Sequence, residues 1–205
     1  MNRRILYISA FLPLSIVAFF LLFRRRVKIE YIVNKLTKNG NWENRSLYGV
    51  TDITVHHSAT PSTATAESFA RYHVNSKGWA GIGYHFVIKA DGTIQQTNDV
   101  VSWSYHNGFN NKNAIGVCLV GNFDQSYPTN EQIKSLEWLI KDLMNDSKLP
   151  NLKYVMGHKE YAGATSCPGS NFNTNYIRTR TKTKKHEFNQ AFYFNHLYDP
   201  ARADN

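Results

Sequence analysis

The sequence predicts an α/β domain: a central mixed β-sheet flanked by helices, preceded by one N-terminal transmembrane helix. Short apolar runs interleave with segments whose apolar residues recur at helical spacing, the pattern of a sheet with helices packed on it. Turn signals separate these runs. An uncharged apolar stretch, Ile5 to Phe23, opens the chain.

That stretch reads ILYISAFLPLSIVAFFLLF. Roughly 20 apolar residues are what a helix needs to cross a bilayer, and Pro13 is tolerable in a membrane helix. A buried core helix would carry a polar face, and none is present. A cleavable leader usually has an apolar region of about 7–15 residues ending at small side chains. Here the run stops at Arg24-Arg25-Arg26, so an uncleaved anchor is expected. Basic clusters flank both ends of the run, and the positive-inside rule taken literally would put the body of the protein in the cytoplasm.

Glu30 to Tyr48 is polar and holds the turn signal Lys38-Asn39-Gly40-Asn41, which reads as a linker or an edge segment. Ile53 to His57 reads as a strand. Ala66, Phe69, Ala70 and His73 share a helical face after Pro61. Tyr84 to Lys89 and Ile94 to Thr97 flank Ala90-Asp91-Gly92-Thr93, a hairpin with a glycine-containing turn. The apolar run AIGVCLV from Ala114 to Val120 predicts a strand buried on both faces. Thr129-Asn130-Glu131-Gln132 matches a capping box, and Ile133, Leu136, Ile140 and Leu143 form the stripe of the helix it opens. Tyr154 to Met156 is a short strand that delivers His158 at its end.

The net charge of +9 lies in the flanks. Residues 29–177 carry 12 Lys or Arg and 12 Asp or Glu, which cancel. A nucleic-acid-binding domain usually shows its basic face on the folded body, so no nucleic-acid partner is expected. Two cysteines, Cys118 and Cys167, are too few for a disulfide scaffold. Cys118 sits in the apolar strand and reads as a small buried hydrophobe. Cys167 sits in the polar loop GHKEYAGATSCPG, where a core role fits poorly.

His56, His158 and Cys167 stand out as metal ligands. Imidazole with thiolate suits zinc, and catalytic zinc sites typically use three protein ligands plus a water. Strand alternation selects between the adjacent histidines: His57 shares a face with Ile53 and Val55, whereas His56 points the other way with Thr54. By spacing alone, His56 is equally well a surface histidine on a strand.

The segments ITVHHSAT, GWAGIGYHFVIKADGTI, NAIGVCLVGNF and GHKEYAGATSCPG occur in this order. Together they resemble the N-acetylmuramoyl-L-alanine amidase type 2 family, which includes phage lysozyme-type amidases and peptidoglycan recognition proteins. The resemblance spans roughly residues 50 to 178. It implies Zn2+ at His56, His158 and Cys167, a catalytic tyrosine at Tyr84, and Thr165 at a site held by lysine or threonine. His106, Asn113 and Trp79 resemble residues that line a substrate groove, although each also fits a loop or packing role. The implied activity is hydrolysis of the amide between the N-acetylmuramic acid lactyl group and L-alanine of peptidoglycan. The alternative is a non-catalytic peptidoglycan sensor of the same fold. Peptidoglycan is then the partner, which favours an extracytoplasmic or periplasmic domain tethered to the membrane as a monomer.

The expected organisation is a membrane anchor at 1–28 with basic flanks, a linker at 29–48 and a zinc amidase domain at 49–178. A basic, aromatic tail follows at 179–205, with RTRTKTKK read as solvated or drawn to anionic polymers.

Overall fold

The computed structural model describes residues 27–108, 110–162 and 165–187. The run Ile5 to Phe23, Gly163, Ala164 and the aromatics from Phe188 onward lie outside these residues. Among the described residues, no helix is long and apolar enough to cross a membrane.

Six strands form one mixed sheet: β1 (Ile29–Tyr31), β2 (Asp52–His57), β3 (Phe86–Ile88), β4 (Ile94–Gln96), β5 (Ala114–Leu119) and β6 (Tyr154–Gly157). Their order across the sheet is β1-β4-β3-β5-β2-β6. β3, β5, β2 and β6 run parallel, β4 returns antiparallel beside β3, and β1 lies parallel to β4. The predicted hairpin is the β3–β4 pair, and Gly92 takes the positive φ of 83° that its turn requires. Every residue of β2 and β5 is buried, as central strands covered on both faces must be.

Among the described residues four α-helices accompany the sheet: α1 (Ala66–Asn75), α2 (Asn130–Met144), the single turn α3 (Lys159–Ala162) and α4 (Thr174–Thr181). α1 buries the stripe Ala66, Phe69, Ala70 and His73. The apolar members of that stripe cluster with Val87, Cys118 and Val120 on one face of the sheet. The opposite face carries Ile53, Val55, Ile115, Val117 and Leu119, packed with Leu136 and Ile140 of α2 and Ile177 of α4. The Thr129 box forms with both reciprocal hydrogen bonds, which satisfies two amide donors at the start of α2.

Two expected boundaries move outward. Of the two readings of the stretch 29–48, linker or edge segment, the second holds: it supplies the edge strand β1, and Arg45 is 5 % exposed. The Arg45 guanidinium donates to the carbonyls of Val100, Asn111 and Ala114, tying this stretch to the body. The segment from 179 does not begin as a solvated tail. Thr181 is buried in α4, Arg180 pairs with Glu137, Lys184 bridges Tyr154, and His186 Nδ1 lies 3.0 Å from Asp52 Oδ1. Alternating charge suggested solvent, but one helical turn and an extended segment direct these side chains onto the domain.

Arg178 locks α4 to the end of β6. It forms a fork on Glu160 at 2.9 and 3.0 Å and donates to Val155 O at 2.9 Å, while Glu160 also accepts from the Gly157 amide at 2.7 Å. Removing one partner of a buried, hydrogen-bonded pair strands the other charge. Glu160→Ala is therefore expected to lower unfolding stability by about 3 kcal/mol in urea titrations. A loss below about 1 kcal/mol would match a solvated surface pair instead.

Candidate metal centre

The site stands at the carboxyl ends of two adjacent parallel strands. β2 and β6 pair with Val55 level with Gly157. The next residues, His56 and His158, therefore lie side by side on the face that Thr54 and Met156 share. The His158 amide donates to Val55 O at 3.1 Å, which holds this register to the last residue. The two imidazole centroids are 4.7 Å apart.

Cys167 comes from the loop after α3. Its carbonyl accepts from the Lys159 amide at 2.7 Å, and its own amide donates to Thr165 Oγ1 at 3.2 Å. These bonds bring Sγ to 3.5 Å from His56 Nδ1. One ligand atom each from His56, His158 and Cys167 lies within 4.8 Å of the others. Three donors of borderline-soft character, converging at that separation, fit a tetrahedral zinc with a fourth corner for another ligand.

Burial tunes the imidazoles toward the metal-binding form, which is neutral. His56 is held well below the usual imidazole range, by burial first and then by the neighbouring charge of His158. Burial, followed by the charge of His57, brings His158 down to about 4. His57 faces the other side of β2, as alternation predicts, and its Nδ1 accepts from the Phe123 amide at 3.0 Å.

Of the remaining expected site residues, Tyr84 stands at the site. Its ring centroid is 5.3 Å from that of His56. Thr165 is half-buried and braces the turn that presents the sulfur. The other three take up packing and hydrogen-bonding roles. Trp79 is 8 % exposed and packs on His73 at 4.8 Å and Tyr105 at 5.7 Å, closing its own loop. His106 is 1 % exposed and contacts His56 directly, with His106 Nδ1 3.2 Å from His56 Nε2. Asn113 precedes β5 at the opposite end of the sheet, about 16 Å along the strands from the level of His56. There its side-chain Nδ2 donates to Gly49 O at 3.0 Å. Cys118 is fully buried, as expected, and burial raises its thiol well above the ordinary range.

Sequence reasoning missed the polar layer beneath the ligands. Asn107 Nδ2 donates to Thr54 Oγ1 at 3.0 Å, Thr54 bonds Tyr161 Oη at 3.1 Å, and Tyr161 reaches Asp52 at 3.3 Å. These partners lie more than 50 residues apart in pairs, beyond any local pattern. A cavity of about 350 Å³ beside Trp42 and Asn98 includes none of the three ligands.

Fold and donor set together define an α/β protein with a His-His-Cys cluster that could hold a metal ion. The model of the N-acetylmuramoyl-L-alanine amidase family matches residues 46–170, and the chain belongs to that family. It is similar to peptidoglycan-recognition protein SC2 of Drosophila melanogaster, 28 % identical over 163 residues that cover 73 % of this chain and 88 % of the relative. The endolysin of Escherichia phage T7 is 39 % identical over 99 residues, covering 45 % of this chain and 65 % of the endolysin. Among solved structures, the N-acetylmuramoyl-L-alanine amidase LysC from Clostridium intestinale URNW superimposes with a TM-score of 0.67 at 30 % identity, covering 78 % of this chain and all of that one.

His73 and His158 are both brought down to about 4, chiefly by burial. The unfolded chain protonates them near pH 6.5. Between those values the unfolded state binds more protons, so the metal-free protein loses stability as pH falls from 6.5 toward 4. The expected loss at pH 5 is on the order of 2 kcal/mol for each of these imidazoles. Denaturant midpoints at pH 7 and pH 5 measure it, and the loss for His73 disappears in His73→Phe.

Proposed function

We propose that this chain is a zinc-dependent N-acetylmuramoyl-L-alanine amidase, which hydrolyses the amide joining the lactyl group of N-acetylmuramic acid to L-alanine in peptidoglycan. The observation that carries the reading is the convergence of donor atoms from His56, His158 and Cys167 to within 4.8 Å of one another. Family membership and the amidase and endolysin relatives support the substrate class.

His56, His158 and Cys167 would hold the ion. Zinc, when bound there, supplies Lewis-acid polarisation of the scissile carbonyl and a water acidified to a pKa of about 7. Tyr84 sets its ring 5.3 Å from that of His56, and its hydroxyl, which also meets the Cys118 thiol, can turn to bond the carbonyl oxygen as negative charge develops on it. A fixed donor in such a place is worth roughly 3–4 kcal/mol of barrier. Thr165 accepts the Cys167 amide, and a hydroxyl that accepts still carries its own proton to donate. It can orient water or substrate, but a hydroxyl does not ionise near neutral pH and makes no strong general base. Tyr84, through water, is the candidate that passes a proton to the leaving amine.

The run Ile5 to Phe23 supports tethering at a membrane, and a peptidoglycan substrate favours a body on the outer side of that membrane. Protease accessibility on intact cells tests that placement.

Incubated with purified peptidoglycan, the zinc-loaded protein is expected to release free stem peptides, read by mass spectrometry. Binding without release at any zinc concentration would support the sensor alternative, which the recognition-protein relatives keep in view. His158→Ala is expected to abolish zinc binding and release together. Tyr84→Phe is expected to keep zinc and lose about 10²–10³-fold in kcat. Full activity in Tyr84→Phe would remove Tyr84 from the mechanism.

A further inference from the structure

The two ring nitrogens of His106 each meet one polar atom, and the chemistry of the two contacts is asymmetric. Nε2 lies 3.3 Å from the carbonyl oxygen of Ala114. A carbonyl only accepts, so the hydrogen sits on His106 Nε2. Nδ1 lies 3.2 Å from His56 Nε2, with the two rings perpendicular. One proton fits between two ring nitrogens at that distance. Were it on His106, that ring would be a cation buried beside the Arg45 guanidinium, which also donates to Ala114 O. The proton therefore belongs to His56 Nε2, and His106 Nδ1 accepts it.

His56 then has one nitrogen left with a free lone pair. That nitrogen is Nδ1, the atom 3.5 Å from Cys167 Sγ. The backbone around His106 is built to keep the ring in place. Asn111 Oδ1 accepts from the amides of His106 and Asn107, both at 2.8 Å. Gly116 of β5 leaves room for the ring to lie on the strand: a β-carbon there would fall 2.7 Å from His106 Cγ.

We propose that His106 is a positioning residue for the metal centre, accepting the Nε2 proton of His56 so that His56 Nδ1 faces the ion. The relay runs from a β5 carbonyl through His106 to the ligand. This rests on the zinc reading for its purpose, but the tautomer it assigns belongs to the metal-free protein and is measured separately. Outer partners that orient a ligating histidine typically contribute 10–100-fold to metal affinity.

Long-range ¹H–¹⁵N correlation spectra of the metal-free protein are expected to show His56 as the Nε2–H form. A dominant Nδ1–H form overturns the proposal without any substitution. Zinc affinity, read by chelator competition, is expected to fall 10–100-fold in His106→Phe. It should stay within a few-fold of wild type in His106→Asn, whose amide oxygen can occupy the place of Nδ1. Equal losses in both variants, or no loss in His106→Phe, also overturn it. Should His106→Phe fail to fold by circular dichroism, the wild-type spectrum and His106→Asn decide. A wild-type protein that shows the Nε2–H form yet binds no zinc sinks the zinc reading and leaves the His106–His56 bond standing.

Discussion

The register between β2 and β6 is the constraint on which the rest depends. With Val55 level with Gly157, both strands end by turning a histidine to the same face. Side chains alternate across a sheet, so a slip of one residue would send His158 to the opposite side and leave His56 alone. The pairing is fixed by burial. Ile53, Val55 and Val155 must all meet the core that α2 and α4 cover. The site inherits its geometry from apolar packing on the reverse face of the same strands.

The metal-facing side needs a different solution. Four imidazoles, those of the buried His56, His85 and His106 and the half-buried His158, gather there, and each is pushed below its ordinary pKa chiefly by burial. Buried polar rings are tolerable only when their nitrogens find partners. His106 Nδ1 meets the ring of His56, and Arg45, the Ser102 carbonyl and the Gly116 amide meet the ring of His85, so hydrogen-bonding groups cover this part of the sheet where a helix would have offered an apolar stripe. Neutral, oriented imidazoles and a thiol on a braced turn form a site prepared before any ion arrives, which lowers the ordering cost of binding.

The same fold serves proteins named as amidases and proteins named as recognition proteins. Function therefore has to be argued from the site rather than from the architecture. Here the sulfur, both histidines and the tyrosine are present and adjacent, which is what favours hydrolysis over recognition alone.

The sequence by itself determined the elements and singled out the three donors that the fold brings together. Ile53 to His57, the Ala66 stripe, the hairpin, AIGVCLV and the Thr129 box are local patterns, set by spacing and capping that a few neighbouring residues decide. Alternation alone separated His56 from His57, because the choice depends only on which face Ile53 and Val55 occupy. Tertiary structure decided what joins distant residues. His106 and His56 are 50 positions apart, and Gly116 reads as an ordinary strand glycine until the ring against it is seen. Trp79 and Asn113 were groove candidates by resemblance alone, and the alternative open to each, a packing or loop role, could be weighed only once the folded loops were seen. Arg45 and Arg178 sat in stretches read as linker and tail, yet their buried partners, backbone carbonyls and Glu160, are brought to them only by the closed sheet. Local patterns encode periodicity. Hydrogen bonds between remote segments exist only after the chain has closed on itself.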